Sequence, residues 1–228
     1  MTYSRDLNII FMGTPKIAAT VFEAMIRDGF HFVALIAQPD KPKGRSGDVI
    51  PVPTKVVAKE YGIPVFQPVK IKNDYEFIRD LKPDLIITIA YGQIIPQELL
   101  DIPTYGCYNL HGSLLPKYRG ASPIQQSLIN GDKITGMSLM EMTKGMDEGD
   151  VFDVETIEIT EDDNNSSLFI KMAEAAKNLI IRDADALVNN ELTRTKQDEL
   201  LVTYCHTIKP EQEHIDFNLT ADEILGWI

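Results

Sequence analysis

Asn109 and His111 stand two residues apart in YGCYNLHGSLLPKYRGASPIQ, residues 105–125. If residues 105–111 form a strand that Gly112 ends, period-two alternation puts both side chains on one face, where the chain turns away. An amide beside an imidazole suits charge stabilisation and proton transfer, and open α/β sheets bind their ligands at the C-terminal ends of strands. Lys117 and Arg119 add two cations beside the pair, readable either as phosphate contacts or as plain surface charge. Ser113 lies close to His111, but no Gly-x-Ser-x-Gly elbow is present, so a serine nucleophile is discounted. The loop Lys144-Gly145-Met146-Asp147-Glu148-Gly149-Asp150 adds carboxylates bracketed by glycines. Taken singly, such residues are more often structural or solvated than catalytic, and the elements around them decide.

Those elements read as an α/β chain. Residues 7–13 are a near-continuous apolar run, the mark of a buried parallel strand. Thr14 and Pro15 follow as helix N-cap and first helical residue, with Ile17, Val21 and Met25 on one face through to Asp28. Residues 32–37 form the next strand, and strand–helix–strand implies a right-handed βαβ unit in a doubly wound sheet. The first turn has only Gly13-Thr14-Pro15, without the Gly-x-Gly-x-x-Gly fingerprint, so the fold does not imply NAD. Residues 38–53, with four prolines, two glycines and the cations Lys41, Lys43 and Arg45, predict a long loop or lid.

Helices are expected over 54–61 and 73–81, a short strand at 65–66, and a buried strand over 84–90. A turn at Tyr91-Gly92-Gln93 leads to a short helix from Pro96. Ser122 at an N-cap, Pro123 at the first helical position and Gln125 predict a capping box opening another helix. Strands over 134–142 and 151–159 follow, the second with its acidic residues alternating outward. A long helix over 166–188 buries Leu168, Met172, Ala176, Leu179, Ile180 and Leu187. The domain is expected to end near residue 189. Residues 204–217 read as an extended connector, and Thr220 begins a last helix. That helix stops on Leu225-Gly226-Trp227-Ile228, leaving Trp227 exposed and suggesting a chain cut short.

The totals set bounds. The chain has 228 residues, 44% hydrophobic and 25% charged, and no apolar run of membrane-spanning length. A net charge of −12 argues against broad nucleic-acid binding but leaves a local basic contact open. Cys107 and Cys205 lack metal-ligand spacing and the four histidines are scattered, so reduced thiols, no bound metal and a cytoplasmic location are expected. The opening residues show no secretory pattern.

FMGTP at 11–15, QPDKPKGR at 38–45, AYGQIIP at 90–96, NLHGSLLPKYRGASPIQ at 109–125 and GMDEGD at 145–150 resemble, in order and spacing, the methionyl-tRNA formyltransferase family. The resemblance implies a Rossmann-like catalytic domain over 1–189, a doubly wound, mostly parallel α/β sheet. Residues 190–228 would be a linker and the start of a largely absent C-terminal β-barrel domain that binds tRNA. It implies transfer of the formyl group of 10-formyltetrahydrofolate, a co-substrate, to the α-amine of methionine on initiator tRNA. No metal or membrane is implied, and a monomer is expected.

In such a reaction negative charge builds on the formyl oxygen, and pre-positioned donors there make the largest contribution to rate. The resemblance gives Asn109 and His111 that role, with Asp147 orienting and charge-stabilising His111. It puts Tyr91, Gly92, Gln93, Ile94 and Ile95 at the pterin, with Ser113, Leu114, Leu115 and Pro116 lining the folate pocket. Lys41, Lys43 and Arg45, Arg45 foremost, would reach the tRNA acceptor end from the lid, and Lys117 and Arg119 would meet phosphate. Asp48-Val49 depart from the family by standing where basic residues are common. An amino-sugar formyltransferase would share Asn109, His111 and Asp147, as would a hydrolase of the formyl-folate. A non-catalytic Rossmann-like binding module is the alternative from another class.

Overall fold

β1 (Ile9–Gly13) is buried along its whole length because both of its faces are covered. Ile9 and Phe11 enter the larger apolar core, while Ile10 and Met12 enter a second core on the opposite side of the sheet. The computed structural model describes residues 1–42, 47–212, 214, 216–221, 224 and 226–227. In chain order β1 is followed by α1 (Lys16–Arg27), β2 (Phe32–Ile36), the short strands β3 (Lys41–Pro42) and β4 (Val49–Ile50), α2 (Pro53–Glu60), β5 (Val65–Phe66) and α3 (Phe77–Leu81). Then come β6 (Leu85–Ile89), α4 (Gln97–Leu100), β7 (Cys107–His111), the two-residue β8 (Arg119–Gly120) and α5 (Pro123–Ile129). The antiparallel pair β9 (Ile134–Glu141) and β10 (Val151–Glu158), the long α6 (Asn165–Val188) and β11 (Tyr204–Cys205) complete the order.

Among the described residues the main sheet has seven strands in the order β10-β9-β7-β6-β1-β2-β5. β5, β2, β1, β6 and β7 run parallel, and β9 runs antiparallel to both of its neighbours. α1, α2 and α6 cover one face, with Val21, Phe22, Val57, Met172 and Leu179 among the buried contacts. α3 and α4 cover the other through Ile78, Leu99 and Leu100. The doubly wound, mostly parallel sheet expected from the apolar runs is therefore present. Strand order reverses at β1: the chain builds outward through β2 and β5, then returns to lay β6 on the other side. The C-terminal ends of β1 and β6 therefore lead to loops that diverge and leave a crevice.

Several local expectations are corrected. Thr14 does not cap α1, whose N-cap is Pro15. Its hydroxyl accepts from Gln38 N at 3.1 Å and lies 3.5 Å from Tyr91 O, tying three strand-end loops together. Ser122 stands at the N-cap of α5 but makes no side-chain cap bond, so the predicted box does not form. A capping box forms instead at α6, where Asn164 Oδ1 accepts from Ser166 N and Ser167 N at 2.9 and 3.1 Å, and Ser167 Oγ accepts from Asn164 N at 3.0 Å. The helix expected over 73–81 is only α3, preceded by a 3-10 turn at Ile71–Asn73. Asp153 and Glu155 do not point away from the body: Arg182 of α6 binds both, at 2.7 and 2.6 Å.

Within the lid, β3 and β4 pair antiparallel. Asp40 anchors its base, accepting from Val52 N at 3.1 Å and Gln67 Nε2 at 2.8 Å and pairing with Lys55. Burial works against the charge of Asp40, but the bonds from Lys55, Gln67 and Val52 outweigh it and hold the carboxyl below its ordinary value. Lys43 and Arg45 lie outside the described residues. Trp227 is 36% exposed. No helix among the described residues is long and apolar enough to cross a membrane.

The caps give a paired test. Asn164→Ala should cost about 1 kcal/mol in chemical denaturation, the usual loss for an N-cap side chain. Ser122→Ala should cost less than half as much, since no cap bond is lost; equal losses would remove the distinction.

Candidate active site

The crevice at the switch point is a cavity of about 500 Å³, within the range of small-molecule sites. β6 and β7 supply its floor through Thr88, Ile89, Asn109 and His111, and the turn after β6 supplies Ala90 to Gln93 and Ile95 as one wall. Gly120, Ala121 and the start of α5 form another wall, and Asp147 enters from the loop between β9 and β10.

Cys107, Asn109 and His111 alternate on one face of β7, as period two requires, while Tyr108 and Leu110 pack into the larger core. Thr88 lies opposite Asn109 in the β6–β7 register. Its buried hydroxyl donates to Asn109 Oδ1 at 2.7 Å, with Met142 Sδ at 3.2 Å. That bond occupies the amide acceptor and turns the Nδ2 donors toward the cavity.

His111 is 5% exposed. Its Nε2 lies 2.8 Å from Tyr118 O, a carbonyl that can only accept, so Nε2 carries the proton. Cys205 Sγ donates to the same carbonyl at 3.4 Å, and burial pushes that thiol above its ordinary range, keeping the proton it gives. Nδ1 is thereby left to receive a proton, and it faces Asp147 Oδ2 at 3.5 Å. Asp147 is itself held, because Oδ2 accepts from Gly120 N at 2.9 Å and Asp147 O accepts from Gln197 Nε2 at 2.8 Å. Its φ of 51° is left-handed, a conformation costing about 1 kcal/mol or more for a residue with a side chain. Gly120, at φ +123°, could carry no side chain there: a Cβ would lie 2.1 Å from Cys205 O.

Asn109, His111 and Asp147 thus line one cavity: alternation along β7 puts the first two on one face, and the loop between β9 and β10 brings the third. Tyr91, Gly92, Gln93 and Ile95 line the cavity, whereas Ile94 turns away and is 80% exposed. The Tyr91 hydroxyl is buried without a hydrogen-bond partner among the described residues, and burial holds the phenol well above its ordinary range. Ser113, Leu114, Leu115 and Pro116 do not line the cavity. Ser113 Oγ donates to Lys117 O at 2.5 Å, which leaves it no role as a nucleophile. Lys41 is exposed on the hairpin.

The two cations of the central motif differ. Lys117 is half exposed, bridges both carboxylate oxygens of Asp132 at 2.8 Å and sits 4.7 Å from the Tyr118 ring centroid. Arg119 overturns the phosphate reading. It is 2% exposed and donates to Gln197 Oε1 at 2.9 Å and Glu199 Oε1 at 2.8 Å, because β11 pairs along β8 and seals it in. Thr88, the Tyr118 carbonyl and Gln197 were not legible as site residues. Only the position of Thr88, near the end of a neighbouring apolar run, could have pointed to it.

A model of the formyl transferase family matches residues 7–183. The chain is 42% identical over 224 residues to methionyl-tRNA formyltransferases of Bacillus cereus, Bacillus cytotoxicus and Bacillus mycoides, covering 97% of this chain and 71% of each relative. Among solved structures, the sugar 3N-formyl transferase WlaRD, with dTDP and 5-N-formyl-THF, superposes at a TM-score of 0.74 with 19% identity over 100% of this chain and 79% of that one. The Helicobacter canadensis N-formyltransferase, with folinic acid and dTDP-3-aminofucose, gives 0.73 and 21% over 97% and 79%. Aquifex aeolicus HypX with tetrahydrofolic acid gives 0.72 and 16% over 97% and 33%. At those identities the solved structures speak for the fold alone, but the family match and the 42% identity go further: this chain belongs to the formyl transferase family, among the methionyl-tRNA formyltransferases.

Proposed function

We propose that this chain moves the formyl group of 10-formyltetrahydrofolate to the α-amine of methionine carried by initiator tRNA. The observation that carries the reading is the meeting of a pre-aimed amide, a buried imidazole and a held carboxylate on the floor of one cavity. The cavity suits the folate: its size is that of a small-molecule site, and the turn after β6 forms one of its walls.

The residues divide the work. The amine nitrogen bonds to the formyl carbon, and charge collects on the formyl oxygen. Asn109 Nδ2, oriented by Thr88 before the reaction begins, stabilises that oxygen at little cost in reorganisation. His111 Nδ1 takes the proton shed by the amine, and Asp147 balances the resulting imidazolium. The proton then passes to N10 of the folate as the bond between N10 and the formyl carbon breaks. For tRNA, Lys41, Lys43 and Arg45 on the lid are the proposed contacts; on a chain of net charge −12 they would act locally and be sensitive to salt.

Transfer of labelled formyl to methionylated initiator tRNA tests the roles. Asp147→Asn should lower kcat at least about 100-fold, the scale of general acid–base catalysis, with the folate dissociation constant within about twofold. Parallel loss of affinity and turnover would make Asp147 a ligand-holding residue instead. Thr88→Val should cost about tenfold in kcat by freeing the Asn109 amide to rotate, against about 100-fold or more for Asn109→Ala. An unchanged rate in Thr88→Val would show that Asn109 is oriented by other contacts.

A further inference from the structure

Beyond α6 the chain turns back to the site. Arg194 pairs with Glu141 and Asp150, which stand on either side of the Asp147 loop. Thr195 and Val151 exchange two backbone hydrogen bonds of 2.9 Å. Farther on, Thr203 O accepts from Arg119 N at 2.8 Å, and Thr203 Oγ1 accepts from Tyr118 N at 2.9 Å. Residues 194–205 thus form a strap over the two loops that carry the His111 acceptor and Asp147.

Within the strap, the Gln197 side chain joins both loops. Its two Nε2 protons go to Asp147 O and Gly149 O, each at 2.8 Å, and its Oε1 accepts from Arg119 Nε at 2.9 Å. Both donors are committed, so Gln197 has none to offer a substrate. Gly149 has no room for a side chain, since a Cβ would lie 2.0 Å from Glu141 O. Arg119, buried and fixed by Glu199 as well, cannot follow a displaced partner into water. A left-handed residue between two glycines needs support from outside its own loop, and Gln197 supplies it on the backbone side.

We propose that Gln197 is a positioning residue for formyl transfer: clamped by Arg119, it holds the 147–149 backbone so that the Asp147 carboxylate stays at His111 Nδ1. The inference rests on the role given to Asp147 above. An ångström of misplacement at such a contact can cost on the order of 100-fold in rate.

Gln197→Glu and Gln197→Met separate the positioning role from plain packing, assayed near pH 8 beside Asp147→Asn in the same 228-residue chain. Glutamate keeps the length and the acceptor for Arg119 but has no proton for the two carbonyls; methionine keeps only the bulk. Both should lower kcat about 10- to 100-fold, with folate affinity close to wild type; Gln197→Glu, which keeps Arg119 paired, should also keep the melting temperature close to wild type. A wild-type kcat in Gln197→Glu would reduce Gln197 to a partner of Arg119 and overturn the proposal. So would losses of melting temperature and folate affinity in step with kcat. If Asp147→Asn is inactive while Gln197→Glu is active, only the positioning role fails. An active Asp147→Asn overturns the reading of Asp147, and the inference with it.

Discussion

Parallel strands that fan out from a central β1 cannot be closed over at the point where their order reverses. The loops after β1 and β6 leave in different directions, and the space between them must be filled by side chains from farther along or by a ligand. In this chain much of the rest follows from that constraint. β1 is wholly apolar because helices cover both of its faces. In the parallel strands β6 and β7, the polar residues Thr88, Asn109 and His111 cluster at the ends beside the gap.

Burial then dictates how those polar residues are arranged. An imidazole that is almost fully enclosed must have its nitrogens answered, and the carbonyl of Tyr118 answers one of them. That single bond selects the tautomer and leaves the other nitrogen for Asp147. The same logic orients the amide, where one threonine hydroxyl takes the acceptor and leaves the donors. Neither arrangement needs the substrate to be present, which is what pre-organisation means in physical terms.

Arg119 shows how the same chemistry can serve structure. In the sequence it stands beside Lys117 as one of two cations near a catalytic motif. In the fold it is enclosed by the returning strap, and an unpaired guanidinium there would be costly. Gln197 and Glu199 pair it, and the pairing draws the strap onto the loops of the site. Lys117, two residues earlier, remains half exposed on Asp132.

The sequence by itself determined whatever depends on local pattern. The apolar runs at 7–13 and 84–90 read as strands buried on both faces, and the stripe over 166–188 as a helix face turned to a core. The alternation of Asn109 and His111, and their position before Gly112, placed the pair at a strand end. The tertiary structure decided what depends on partners distant in the chain. Thr14 and Ser122 carry good N-cap chemistry, yet Thr14 is drawn to the neighbouring loops and Ser122 makes no cap bond. Arg119 and Gln197, 78 residues apart, acquire their roles only because β11 returns to β8. Local spacing sets which way a side chain leaves the backbone; which group it meets there is settled when distant segments pack.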